Sequence, residues 1–379
     1  MAQTSDRPLS SRTLWRQFYQ AYRLVLRLVR LPVWTVLSVL PYTRPCRNWT
    51  FKQSLTLYIC HDIVDTEARV GLTEELTFNP GKDGDRFHTI DPFNSEFYRG
   101  PLLPSSVHPT KIGGVWFPTT PAAIDKNGTY VLWIHGGAFV TGNGRSDTCR
   151  RPANYLLSNA GVDAVFSVQY RLSGYGDIVT AYLYLTRTLN ISLNSLVIAG
   201  NSSGANLVIA FVRYAEQVMP QIGRPLCAVA VSPWVAPLET AIPDYTRTKD
   251  YSAEYVAESF HQWGSRTYQP PGGLNEPDVP YVTLLGHPFF TSVPILVTFG
   301  ECEALSADIT TWAEEAQGIR GNSVEIYCDL NGIHASLFVG EMMGWELSAR
   351  HISSVIGDFI HSRLDSSGTT AVYPNVRQE

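Results

Sequence analysis

Leu196-Val-Ile-Ala-Gly200-Asn-Ser202-Ser203-Gly204 runs from an apolar, strand-type stretch into Gly-x-Ser-x-Gly, and a helical pattern, Ala205–Met219, follows at once. A turn that joins a buried strand directly to a helix is sharp and strained. It pushes the side chain at its apex, here Ser202, out at the carboxyl end of the sheet. Gly200 and Gly204 flank the serine because a Cβ would clash where strand and helix nearly touch. The helix N-terminus and the Ser203 amide then face the place where negative charge develops in acyl transfer. The competing reading is a glycine-rich turn with Ser202 as a helix cap. The strand before it and the helix after it favour the nucleophile.

The pattern around this turn sets the fold class. Short apolar runs of strand type recur at Gly114–Pro118, Tyr130–Ile134, Ala164–Tyr170, Leu196–Ala199, Ala228–Val231, Ile295–Phe299 and Val324–Tyr327. Helical patterns lie between many of them, at Ile178–Leu189, Ala205–Met219, Asp308–Gly318 and Trp345–Arg363. Near-continuous Val, Ile and Leu fit strands buried on both faces. The alternation predicts an α/β fold with a mostly parallel central sheet and helices on both faces. Residues 237–288, rich in Pro, Tyr and Thr, read as a cap insertion between two core strands.

The other parts of an acyl-transfer site are sought at the carboxyl ends of the same strands. Tyr130–Ile134 runs into His135-Gly136-Gly137-Ala138-Phe139, a run poor in side chains whose amides can converge on an oxyanion. A serine hydroxyl needs a base, and on this layout the acid and then the histidine follow the serine in the chain. Glu303 follows the strand Ile295–Phe299 and His334 follows Val324–Tyr327. His334 is the expected base and Glu303 its orienting acid, with Glu301 and Asp308 as rivals for the acid. His135 reads as support for the glycine run. His351 and His361 fall on the last helix.

Composition narrows the class. Charged residues are 17% and hydrophobic residues 44% of 379, too apolar for disorder. The net charge of −5 argues against a nucleic-acid binder that relies on bulk positive charge. Six scattered cysteines form no CxxC pair, so no zinc site or disulfide framework is expected and a reducing compartment is favoured. No metal or cofactor is called for.

The charge is uneven. Residues 1–50 hold eight arginines and one acid, Asp6, leaving −12 for the rest. From Arg12 to Leu31 a helix is expected, ended or kinked at Pro32. Arg12, Arg16, Arg23, Arg27 and Arg30 share one stripe, and Leu14, Trp15, Phe18, Tyr22, Val25, Leu28 and Val29 lie opposite. Two readings stand: peripheral membrane contact through residues 12–40, or an apolar face packed on the protein's own body. The expected setting is cytoplasmic, with an internal membrane such as the ER as a candidate contact. Residues 1–50 are thus set apart as a basic amphipathic segment, and 51–379 as the catalytic domain.

Together these motifs resemble the hormone-sensitive-lipase-like branch of the α/β-hydrolases, over roughly Gly113 to Arg363. The leading helix and Thr43-Arg-Pro-Cys-Arg-Asn-Trp49 look like fungal members of it. The family's H-G-G-G is here His135-Gly136-Gly137-Ala138, its G-D-S-A-G is Gly200-Asn201-Ser202-Ser203-Gly204, and its acid motif aligns with Glu303-Ala304-Leu305. The resemblance implies Ser202, Glu303 and His334 as the triad and the amides of Gly137, Ala138 and Ser203 as the oxyanion hole. Ser203 would place a hydroxyl near the oxyanion. One departure is a short connection, Gly174-Tyr175-Gly176, before Asp177, where the family usually has a longer loop. The resemblance also implies a cap, for which the apolar face of the first helix could line the pocket.

The function expected is hydrolysis of a small apolar ester through an acyl-enzyme, in lipid or secondary metabolism. Acyl transfer or thioester hydrolysis at the same site is the nearest alternative. A non-catalytic small-molecule receptor on the same fold is the alternative from another class.

Overall fold

In the computed structural model, which describes residues 9–100, 108–125, 127–172, 175–269, 274 and 276–368, eight strands form one sheet. They are β1 (Phe87–Ile90), β2 (Ile112–Phe117), β3 (Tyr130–Ile134), β4 (Ala164–Gln169), β5 (Leu196–Asn201), β6 (Cys227–Val231), β7 (Ile295–Gly300) and β8 (Val324–Asp329). The order is β1-β2-β4-β3-β5-β6-β7-β8. Strands β3 to β8 pair in parallel, while β1 with β2 and β2 with β4 are antiparallel. All seven strands expected from the apolar runs are present. The eighth, β1, is four residues long and too mixed in character to stand out.

The helices are α1 (Leu9–Val39), α2 (Phe51–Val70), α3 (Ser146–Asn159), α4 (Tyr175–Leu183), α5 (Ser203–Gln217), α6 (Ile242–Arg247), α7 (Glu258–Tyr268), α8 (Val279–Val282), α9 (Ser306–Gln317), α10 (Ser336–Met343) and α11 (Glu346–Gly368). Alternation along the strands feeds two cores. Leu132, Ile134 and Ile198 pack with Phe211 of α5 and Trp312 of α9 on one face. Val131, Trp133 and Val197 pack with Leu156 of α3 and Ile356 of α11 on the other. Covering both faces is what requires near-continuous apolar strands. Residues between β6 and β7 carry α6, α7 and α8.

The N-terminal helix departs from expectation in two ways. It does not stop at Pro32: α1 is one helix of 31 residues with Pro32 inside it. A proline there forfeits one backbone bond, a cost a long helix with tertiary contacts can carry. Second, its orientation is the reverse of both packing expectations. The arginine stripe faces the body, where Arg23 lies buried with its guanidinium at 2.7 Å from both Asp62 and Asp65 of α2. Arg27 and Arg30 also reach Asp62, and Trp34 stacks on Tyr58. The apolar stripe faces outward, with Phe18 76% and Trp15 68% exposed. It therefore neither packs on the body nor lines a pocket. The side chain of Arg12 lies outside the described residues.

The stretch after α1 is tied to the far end of the sheet. Arg44 donates to the carbonyls of Ser38 and Val39 at 2.8 and 3.0 Å, closing the C-terminus of α1. The Trp49 indole donates to the Asn331 carbonyl at 2.8 Å and packs edge-on against Trp345. Helix α2 starts in a capping box, with Thr50 and Gln53 bonded reciprocally. It then bridges layers: Ser259 of α7 donates to Asp65, and Thr56 donates to Met343 of α10. Among the described residues no helix is long and apolar enough to cross a membrane.

Candidate active site

Ser202 sits between β5 and α5 at φ 55°, ψ −122°, a backbone region L-residues rarely adopt. The neighbours hold it there. The Ser202 amide donates to the Val231 carbonyl at 2.9 Å, and its carbonyl accepts from Trp234 and Asn206 at 3.2 and 3.1 Å. The flanking glycines allow the approach. A Cβ on Gly204 would strike the carbonyls of Ile134 and His135, and one on Gly200 would meet the Ile134 oxygen at 2.6 Å.

Opposite the serine, the run after β3 turns through Gly137, Ala138 and Phe139, all with positive φ. Among the described residues the amides of Gly137, Ala138 and Ser203 donate to no protein acceptor. Unpaired backbone N–H groups in a buried place need an explanation. Two side chains from the elbow fix this loop. Asn201 Oδ1 accepts from the Gly136 amide at 3.1 Å, and Ser203 Oγ accepts from the Phe139 amide at 3.3 Å. The Ser203 hydroxyl is thus turned onto the loop backbone, where the sequence had suggested a place near the oxyanion. His135 supports the same loop from beneath. Its Nδ1–H donates to the Gly136 carbonyl at 2.7 Å, and its ring stacks on Tyr170, whose hydroxyl donates back to the His135 carbonyl. Burial pushes the His135 imidazole down to about 4, so it stays neutral.

His334 Nδ1 lies 2.7 Å from Glu303 Oε2, both buried. Glu303 Oε1 accepts from the Gly300 amide. Glu301 is exposed and binds the Asn331 amide instead, and Asp308 lies on α9 away from the histidine. Of the three acids weighed, only Glu303 meets His334. Burial alone would depress the His334 imidazolium. The hydrogen bond and charge of Glu303 outweigh it, with help from Glu254, and raise the His334 pKa above the ordinary value. The end of β6 joins both halves of the site: Val231 holds Ser202, and the next residue, Ser232, accepts from the Ala335 amide at 2.9 Å. Ser202 and His334 make no direct hydrogen bond here.

Three residues of the insertion belong to this site and were not foreseen. Glu254 is buried, accepts from the amides of Val256 and Ala304, and so ties the insertion to the acid loop. Burial pushes its carboxyl up to about 7, against the pull of His334. Gly264 of α7 lets that helix pass close to Ala138, since a Cβ there would strike the Ala138 carbonyl. His261 packs between Trp234 and Tyr245, and its Nδ1 has no partner. Burial, then the nearby His334, pushes it down to about 3. Phe139 stacks on Tyr268 and Trp234 on the same side. No sequence motif marks these residues. From the sequence the stretch reads only as a cap insertion rich in Pro, Tyr and Thr.

The short connection before α4 is held by an ion pair. Asp177, fully buried, takes the Arg171 guanidinium at 2.7 Å and the Arg171 amide at 2.8 Å. Ser173 and Gly174 lie outside the described residues. Among the described residues no group of three His, Cys, Asp or Glu is placed to hold a metal.

A family model described as alpha/beta hydrolase fold matches residues 131–338. The solved structures that the chain resembles include EstE5 soaked with p-nitrophenyl butyrate, with a TM-score of 0.59 and 18% identity over 83% of this chain and 99% of that one. Another is an esterase from the bacterial hormone-sensitive lipase family, with a TM-score of 0.59 and 19% identity over 83% and 99%. A third is an esterase of Pyrobaculum calidifontis, with a TM-score of 0.56 and 17% identity over 81% and 93%. A comparison with curated protein sequences found no match.

Proposed function

The chain belongs to the alpha/beta hydrolase fold family, and from that premise we propose that it is a serine esterase acting on apolar carboxylic esters. The observation that carries the reading is the constellation at the carboxyl edge of the sheet. Ser202, at a strained turn, lies beside the loop of Gly136, Gly137 and Ala138. The strand end that holds it also binds the Ala335 amide next to His334, which is paired with buried Glu303. The esterases among the similar structures support the same reaction class.

In this mechanism Ser202 Oγ attacks the ester carbonyl carbon while His334 Nε2 takes its proton. Glu303 holds His334 with Nδ1–H toward the carboxylate, which leaves Nε2 free to accept, and its negative charge stabilises the imidazolium that forms. The amides of Gly137, Ala138 and Ser203 bind the tetrahedral oxyanion. Asn201 and the Ser203 hydroxyl hold the flanking Gly136 and Phe139 amides, so the loop carrying Gly137 and Ala138 is set before the reaction. His334 then protonates the departing alcohol. Water activated by His334 attacks the acyl-enzyme and releases the acid. The aromatic stack of Phe139, Trp234 and Tyr268 beside the loop that carries Ala138 fits an apolar substrate.

The decisive measurement is p-nitrophenyl ester hydrolysis by Ser202→Ala beside fluorophosphonate labelling of the wild type. The variant should lose activity on the order of 10⁶-fold, and the probe should mark Ser202. Full activity in the variant, or a folded wild type that takes no label, would overturn the proposal.

A further inference from the structure

We infer that the outward face of α1 is a docking surface for an anionic lipid membrane. The face runs from Leu14 to Val39, about 38 Å at 1.5 Å per residue. It spans about 140° of the helix at 3.6 residues per turn. Within it the chain places Trp15, Phe18, Val25, Leu28, Val29 and Val36 among similar residues, and no charged residue or side-chain amide. All six are more than half exposed. Isolated exposed apolar residues are ordinary, but a contiguous patch of this length marks a contact surface.

The way α1 is anchored makes the face available. An interfacial helix usually turns its cations to headgroups and water. Here Arg23 and Arg27 are spent on Asp62 and Asp65 of α2, so the charged side is the inner side. Burying Arg23 needs such partners, because an unpaired buried charge costs several kcal/mol. The pairing fixes the rotation of α1 about its axis and leaves the apolar stripe pointing away from the protein.

Charge selects lipid over a second copy of the chain. Residues 9–70, which hold α1 and α2, carry a net +6, and the rest of the chain −11. Arg16, Arg47 and Lys52 are exposed around this layer. A bilayer with acidic headgroups complements such a layer, because each cation near the surface is attracted to it. Self-association would press two cationic layers together, and one helix against another covers only a narrow seam of so wide a face. Trp15 and Tyr22 on the face suit the headgroup boundary, where amphipathic rings collect. Arg16, Arg23, Arg27 and Arg30 exclude a spanning role, so the helix lies in the plane of the surface.

The test uses the full chain and vesicle flotation, with phosphatidylcholine alone or mixed with phosphatidylglycerol. The wild type should float with the mixed vesicles and much less with phosphatidylcholine. Phe18→Glu with Val29→Glu should weaken binding at least about tenfold while the thermal melt stays put. Phe18→Ser with Val29→Ser, gentler on folding, should weaken it less but in the same direction. Quenching by brominated lipid should fall when Trp15 is replaced by Phe. Wild-type protein that ignores both vesicles, or a Glu double variant that binds as well as wild type, overturns the inference. So does a concentration-dependent dimer that the double variant dissolves while vesicles go unbound. None of these readings depends on ester turnover.

Discussion

Helices α1 and α5 both carry apolar residues at helical spacing, and the fold puts them to opposite uses. From Ser203 to Ala215 α5 is buried throughout, its stripe packed on the sheet beside β5. Of the described side chains of α1, only Arg23 and Ser38 are buried. A 3.6-residue period says that a helix has two unlike sides. It does not say which side the rest of the protein will take. On α5 the apolar side wins because removing it from water is favourable and nothing on the sheet competes. On α1 the charged side is taken because two carboxylates on α2 are placed to receive it.

On the sheet side, where Ser202 opens α5, the sharpest test is of the buried Glu303 beside His334. Glu303→Gln keeps the shape of the acid but loses its charge and the preferred tautomer of His334. Turnover should fall on the order of 10⁴-fold in kcat, measured with a p-nitrophenyl ester, with little change in KM. A loss below tenfold would remove Glu303 from the catalytic pair.

Asp62→Asn strikes the outer member instead. It leaves buried Arg23 with Asp65 alone, and should weaken the docking of α1 by about 3 kcal/mol. Hydrogen exchange should quicken across α1 while the strands stay protected. Equal protection of α1 in both proteins would mean that something other than the ion pairs orients the helix.

The smallest effect expected is at Glu254, which joins the insertion to the acid loop. His334 must be neutral to act as a base, so activity falls as pH drops through its raised pKa. The Glu254 charge, present above about pH 7, favours the imidazolium. Glu254→Gln should therefore move the acidic limb of kcat/KM to lower pH. A limb that stays in place, or moves upward, would show that Glu254 does not act on His334.

Much of the site was legible because its residues sit at forced points of the chain. Gly200, Ser202 and Gly204 must lie where a strand meets a helix without clash, and Glu303 and His334 must follow later strands of the same sheet. Glu301 and Glu303 could not be separated by spacing. They lie two apart in one loop, and only the tertiary fold buries one and leaves the other exposed. The partner of the Ser203 hydroxyl could not be read for a related reason. A hydroxyl can turn to either of two donors, and here the Phe139 amide lay within reach. Glu254 and His261 come from an insertion without strand periodicity, so nothing local announced that they would close over His334.

Local sterics and burial on both faces were enough to read the parallel sheet and the sharp turn at Ser202 from the sequence. The sequence also determined that α1 has an arginine side and an apolar side. Which side of α1 faces the body was settled only in three dimensions, where Asp62 and Asp65 come within 2.7 Å of Arg23. The same holds for the bond from the Ala304 amide to Glu254 and for the close approach of Gly264 to Ala138. Both rest on contacts between residues far apart in the chain, whose electrostatic and packing energies no local pattern encodes.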